Sequence, residues 1–273
     1  MAATILDTRP ATYSRATGLI NVLRSEFLKI RSVRSTYWTL AGAVVFNVVL
    51  ASVVAQAIPS RLSAQDRKNA DPIQLSMAGL HLSQIAIGVL GVLVITSEYG
   101  TGLIRATVAA VPRRRELLLA KATIFALVAT VGGVISTFGA YAAFQVSLPA
   151  GGTYMKVTLS DPGVLRAVIG AGLFLAVLGL LGMGIGAIVR ASAGTIAGLF
   201  GLLFVPNILF ELLPSSWRDT VGPYLPMNAG DAVTVAFNRS STTLAPWTGF
   251  AVFCLYALVA LTIGLVLIKR RDV

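Results

Sequence analysis

Histidine and cysteine each occur once in the 273 residues, as His81 and Cys254, and charged residues make up only 12% of the chain. A single cysteine excludes an internal disulfide, and Cys254 lies inside an apolar run, where a thiol behaves as a small hydrophobe. One histidine and one cysteine far apart in sequence form no ligand cluster, so no metal site is expected. The chain holds no G-x-x-x-x-G-K-[ST], which excludes ATP hydrolysis by a P-loop of its own, and no H-E-x-x-H. No serine–histidine spacing supports a nucleophilic pair either, which leaves an intramembrane enzyme as a weaker alternative. The shortage of charge has a wider meaning. A soluble domain carries about 25% charged residues to cover its surface. At half that share, the chain fits a solvent that is itself apolar.

Apolar residues are plentiful, at 56%, and they come in long runs. A bilayer core of about 30 Å takes about 20 apolar residues in a helix. Six stretches meet that length with few or no charges: residues 37–58, 75–97, 123–148, 165–189, 194–213 and 247–268. Membrane barrels need strands of alternating polarity, whereas these runs are continuously apolar. The expected fold is therefore an all-α membrane protein with six transmembrane helices. Residues 1–18 read as a polar tail without the apolar stretch of a cleavable signal, and residues 19–273 as a single domain.

The charge that remains is lopsided, with 22 Lys+Arg against 11 Asp+Glu. With six spans, both termini share a side with the connections after spans two and four. Fifteen basic residues fall there: Arg9, Arg15, Arg24, Lys29, Arg31, Arg34, Arg105, Arg113, Arg114, Arg115, Lys121, Arg190, Lys269, Arg270 and Arg271. The positive-inside rule then places both termini in the cytoplasm. Because the basic residues form short clusters between apolar runs, the charge points to membrane topology and not to nucleic acid.

Three segments outside the spans carry information. In residues 19–34, Leu19, Leu23, Phe27 and Ile30 share a helical stripe, which predicts an N-terminal interfacial helix on the inner leaflet. Glu26 spoils the edge of that stripe. Residues 214–245 are too polar to span yet hold Tyr224, Leu225, Val233, Val235 and Phe237, which predicts short external helices dipping into the membrane. The connection from Glu98 to Lys121 reads EYGTGLIRATVAAVPRRRELLLAK. At 100° per residue, Leu103, Ile104, Thr107, Val108 and Val111 share one face, and Pro112 closes the helix. This predicts a short cytoplasmic surface helix, serving either as a basic topology signal beside lipid phosphates or as a docking element.

Among the polar residues within the spans, Asn47, His81, Gln84 and Asn207 are candidates for a substrate path, although interhelical hydrogen bonding explains such residues equally. Gly182 and Gly186, like Gly194 and Gly198, make G-x-x-x-G patterns that allow close helix approach. Pro206 predicts a kink or break in span five. No Asp or Glu lies mid-span, which weakens the alternative of an ion-gradient-driven secondary transporter.

Glu98-Tyr99 followed by Thr101-Gly102-Leu103-Ile104-Arg105, then Ala109-Ala110-Val111-Pro112-Arg113-Arg114 and Ala120-Lys121, resembles the first cytoplasmic loop of ABC-2 type transporter permeases. Residues 23–36 are similar to the interfacial helix of that family, and Leu225-Pro226-Met227-Asn228-Ala229-Gly230 to the segment before its last span. The sequence departs from the pattern at Gly100. The resemblance implies a bacterial plasma-membrane permease, chiefly of the exporter kind, whose loop 98–117 is a coupling helix. Glu98, Tyr99, Gly102, Arg105 and Arg113 would then dock on a separate ATP-binding cassette subunit. That subunit would hold ATP and Mg, with no cofactor in this chain. It further implies a second permease chain, a homodimer paired through spans one and five, which makes Gly194 and Gly198 interface candidates.

Overall fold

The computed structural model describes residues 15–58, 61–63, 65–66, 70–102, 114–237 and 243–270, and among them no strand occurs. Helix α1 (Arg15–Ser32) is followed by α2 (Arg34–Ala57), the short α3 (Pro72–Ser76), α4 (Leu80–Gly100) and α5 (Arg114–Ser147). Then come α6 (Val164–Val189), α7 (Ser192–Glu211), the short α8 (Ser215–Val221) and α9 (Pro226–Asp231), and α10 (Pro246–Arg270). Six of these, α2, α4, α5, α6, α7 and α10, are long and apolar enough to cross a membrane. Pro72, Pro226 and Pro246 each open a helix, where the ring's fixed φ suits helical geometry and its missing N–H costs nothing.

Lipid tails are as apolar as a protein core, so fit decides which spans touch. α6 is the central one: 72% of its most apolar stretch is buried, against 22% for α2 and 17% for α7. It packs on α4, α5 and α10, and the Phe174 ring of α6 meets Phe253 of α10 at 5.2 Å between centroids. Glycines set two of its close approaches. A methyl group on Gly91 of α4 would land on the carbonyl of Gly179, and one on Gly133 of α5 would lie 2.6 Å from the Gly172 oxygen. Gly182 and Gly186 likewise face α4, through the Gly88 carbonyl and the Ile95 side chain.

Several boundaries differ from the sequence expectation. The second span starts at Leu80, not 75, because Asp71 caps α3 and the chain turns through residues 77–79 before α4 begins. Gly79 makes that turn possible, since a methyl there would sit 2.5 Å from the Cα of Asn47. The third span is the end of a 34-residue helix that begins at Arg114, so Lys121 stands on a helix and not in a loop. α7 runs unbroken through Pro206. In α1 the buried residues are Val22, Glu26 and Ile30, whereas Phe27 is exposed. The expected stripe is thus rotated toward Glu26, and the side chain of Leu19 lies outside the described set.

The end of the bundle opposite α1 is closed by residues 231–237, which are not regularly helical beyond Asp231. Backbone polar groups beside a membrane need partners from the protein. Here two charged side chains provide them. Arg166 of α6 donates to the carbonyls of Val233 (3.1 Å) and Val235 (2.9 Å). Asp71 accepts from the amides of Ala236 (3.2 Å) and Phe237 (2.8 Å), while its other oxygen caps α3 through Ile73 and Gln74. Val233 is thereby fully buried. Leu225, Val235 and Phe237 are half-buried and Tyr224 stays exposed, so packing against the spans accounts for most of this segment's apolar residues.

Candidate functional site

At the end of the bundle that carries α1, three elements converge on four charges. Glu26 comes from α1, Glu98 from the last turn of α4, and Lys121 from the second turn of α5. The Lys121 ammonium is 2.7 Å from Glu26 Oε2 and 2.8 Å from Glu98 Oε1. Lys29, one turn along α1 from Glu26, reaches Glu26 Oε1 at 2.7 Å and Glu98 Oε1 at 3.3 Å. The result is a closed ring of alternating sign: Glu26, Lys121, Glu98, Lys29. Glu26 and Lys121 are 1% and 3% exposed, so solvent screens their pairing little. Burial opposes the charge on Lys29, but the two carboxylates outweigh it and hold its ammonium above the usual lysine range.

The ring closes the base of the connection from α4 to α5. Gly102 follows Thr101 with φ of +71°, a left-handed conformation that suits glycine. Tyr99 is half-buried, and the Arg190 guanidinium lies over its ring, 5.1 Å from the centroid. Arg190 itself ends α6 with φ of +63°, and α7 begins two residues later. Ser192 on α7 donates to the Thr96 hydroxyl at 2.8 Å. The α6–α7 turn is thus pinned to the same end of α4. Beside the ring a cleft of about 410 Å³ runs between α2 and α4, walled by Ile30, Val89, Leu90, Leu93 and Val94.

Of the docking residues expected from sequence, the structure places Glu98 inside the ring. Both ammonium groups bind its Oε1, the residue is 9% exposed, and its Oε2 is buried with no hydrogen-bond partner among the described residues. Gly102 is exposed and Tyr99 half-buried. Arg105 and Arg113, with the expected surface helix, lie outside the described residues. Sequence reasoning missed Glu26, Lys29 and Lys121 as a group. The available signal was Glu26 itself, a carboxylate misplaced on an otherwise apolar stripe.

The expected path residues do not converge. Asn47 is fully buried and donates to the Ser136 hydroxyl of α5 at 3.1 Å. Gln84 is buried, whereas His81 stands exposed in the first turn of α4, nearer the helix end than expected. Asn207 lines a cavity of about 340 Å³ at the opposite end with Glu211, Arg218 and Asn228. Near that end, burial pushes the Asp231 carboxyl up from 3.8 to about 6, against the pull of the His81 ring, which lowers it. Gly194 and Gly198 are exposed on α7, with no neighbouring atom closer than 3.4 Å to where a methyl would stand.

Six apolar helices, α6 the central one among them, with a charged junction gathered at one end, define a multi-pass helical membrane protein. The family of ABC-2 family transporter proteins matches residues 22–205, a stretch that takes in the ring, most of α1, the first four spans and most of the fifth. The chain belongs to that family and is a membrane permease subunit of an ATP-binding cassette transporter. No match to it is found among curated proteins.

Proposed function

We propose that this permease is half of an ATP-driven exporter, worked by a separate ATP-binding subunit that docks on the loop 98–117. The observation that carries the reading is the charged ring, which gathers both ends of that loop against α1 through Glu98 and Lys121. A loop anchored in this way can receive a push without simply folding aside. The end bearing α1 and the ring would face the cytoplasm of a bacterial cell, in keeping with the basic residues counted above. Gly102, Arg105 and Arg113 would meet the ATP-binding subunit, where a guanidinium pairs well with carboxylates or carbonyls. ATP and Mg would be bound there, and their binding would draw the two cytoplasmic subunits together.

Two copies of the chain would pair through α2 and α7. Support comes from the open faces of these helices, the least buried of the six spans, with Gly194 and Gly198 exposed on α7. Transport would follow from a switch between inward- and outward-open arrangements. Inverting such an equilibrium from 1:99 to 99:1 takes about 5.5 kcal/mol of differential binding. Membrane lipid would surround the remaining faces.

A pull-down in mild detergent tests the reading. The wild-type chain is expected to bring down an ATP-hydrolysing protein, and Arg105→Glu with Arg113→Glu to lose it. A wild-type permease that comes down with no such protein, or a double variant that retains it fully, would defeat the coupling assignment.

A further inference from the structure

We infer that the ring of Glu26, Lys121, Glu98 and Lys29 is a rigid joint that makes α1, the end of α4 and the start of α5 move as one body, with Lys121 as its positioning residue. The inference rests on the coupling reading above and assigns the next mechanical part beyond the loop.

The geometry supports it in three ways. First, the contacts close on themselves: 2.7 Å from Lys121 to Glu26, 2.8 Å from Lys121 to Glu98, 3.3 Å from Lys29 to Glu98 and 2.7 Å from Lys29 to Glu26. Sliding α1 by a turn would bring Lys29 against Lys121, or Glu26 against Glu98, in a poorly screened site. Second, an apolar joint would hold these helices at least as firmly, because ion pairs taken out of water often add no net stability. Alternating charge instead supplies register, which greasy surfaces lack. The described apolar part of the α1–α5 contact, with Val22 against Leu117 and Ala120, carries no register of its own. Third, α1 is joined to the first span by one extended residue, Val33, with φ −83° and ψ 104°. Movement of α1 therefore reaches α2 with almost no slack. The route runs from the loop through Lys121 and Glu26 to α1, and from there to the span whose open face is assigned to the partner chain.

The test places spin labels at Ile20→Cys and Thr101→Cys, both exposed positions, in full-length Cys254→Ala protein diluted with unlabelled chain in nanodiscs. Pulsed electron resonance should show one narrow distance distribution. Adding a non-hydrolysable ATP analogue to the complex recovered in the pull-down should leave it narrow, because α1 and the end of α4 shift together. Lys121→Met should widen the distribution at least twofold and let the analogue separate the labels, and Lys121→Arg should restore wild-type behaviour. If Lys121→Met fails to accumulate, Glu26→Leu with Lys29→Met removes both contributions of α1 while leaving Lys121 on Glu98, and the same separation is expected. An unchanged distribution in a folded variant, with and without nucleotide, overturns the joint. Because the label distance in the permease alone needs no partner, the joint stands or falls separately from the docking assignment, which the pull-down judges.

Discussion

Replacing Asp71 by alanine should release residues 231–237 from the bundle without unfolding the spans. The side chain, 6% exposed, takes the amides of Ile73 and Gln74 on one oxygen and those of Ala236 and Phe237 on the other. Hydrogen bonds to a charged group contribute about 1.5–3 kcal/mol each, and loss of an N-cap costs about 1 kcal/mol. The two bonds that cross between elements thus contribute about 3–6 kcal/mol. The upper part of that range is out of reach. Once the segment lifts off, its amides find water, and Arg166 still grips the carbonyls of Val233 and Val235. A loss of about 3 kcal/mol at the segment corresponds to an opening equilibrium raised roughly a hundredfold, at 1.4 kcal/mol per decade. Hydrogen exchange read by mass spectrometry on a peptide covering 231–237 should speed up by that factor in Asp71→Ala. Peptides from the centre of α6 should exchange at the wild-type rate. Asp71→Asn keeps an acceptor without the full charge and should fall between the two. If the peptide speeds up by less than about fivefold (about 1 kcal/mol), the segment is held by packing of Val233 and its neighbours and the carboxylate is incidental.

Lys121→Met should destabilise the folded permease by about 3 kcal/mol, the low end for breaking a buried pair, because Lys29 still offers its ammonium to both carboxylates. Glu26→Leu with Glu98→Leu and Lys121→Met should come out near neutral in the same denaturant titration, since no buried charge is left unpaired; equal losses in the two variants would refute this account. For Asp231, the carboxyl raised from 3.8 to about 6 means that the folded state holds its proton more tightly than the unfolded chain does. Stability should then be greatest below pH 3.8, fall as the pH rises toward 6, and level off above. Asp231→Asn should flatten that stretch of the thermal-unfolding profile, and a wild-type profile rising across the same interval would contradict the assignment.

The spans could be read from the chain because membrane crossing is a local property: enough consecutive apolar residues satisfy it wherever they stand. The errors at span ends arose where tertiary contacts intervene. Five residues of the expected second span became α3 and a turn because Gly79 had to pass the backbone of Asn47. The third helix extends back to Arg114, where its polar first turns lean on α1 and not on lipid. The family resemblance was legible in short motifs, since the loop and interfacial segments each occupy one continuous stretch of chain.

Hydropathy and charge along the chain were sufficient, without coordinates, for the helical class, the number of crossings and the side on which positive charge collects, because each depends on neighbours in sequence. The ring needed the fold. Glu26 and Lys121 stand 95 residues apart, and Glu98 joins them from a third element. In sequence they look like a flaw in an apolar stripe, the end of a span and one basic residue among several. Only the packing of α1 against the first turns of α5 removes them from water together, and that shared burial turns three unremarkable charges into a joint.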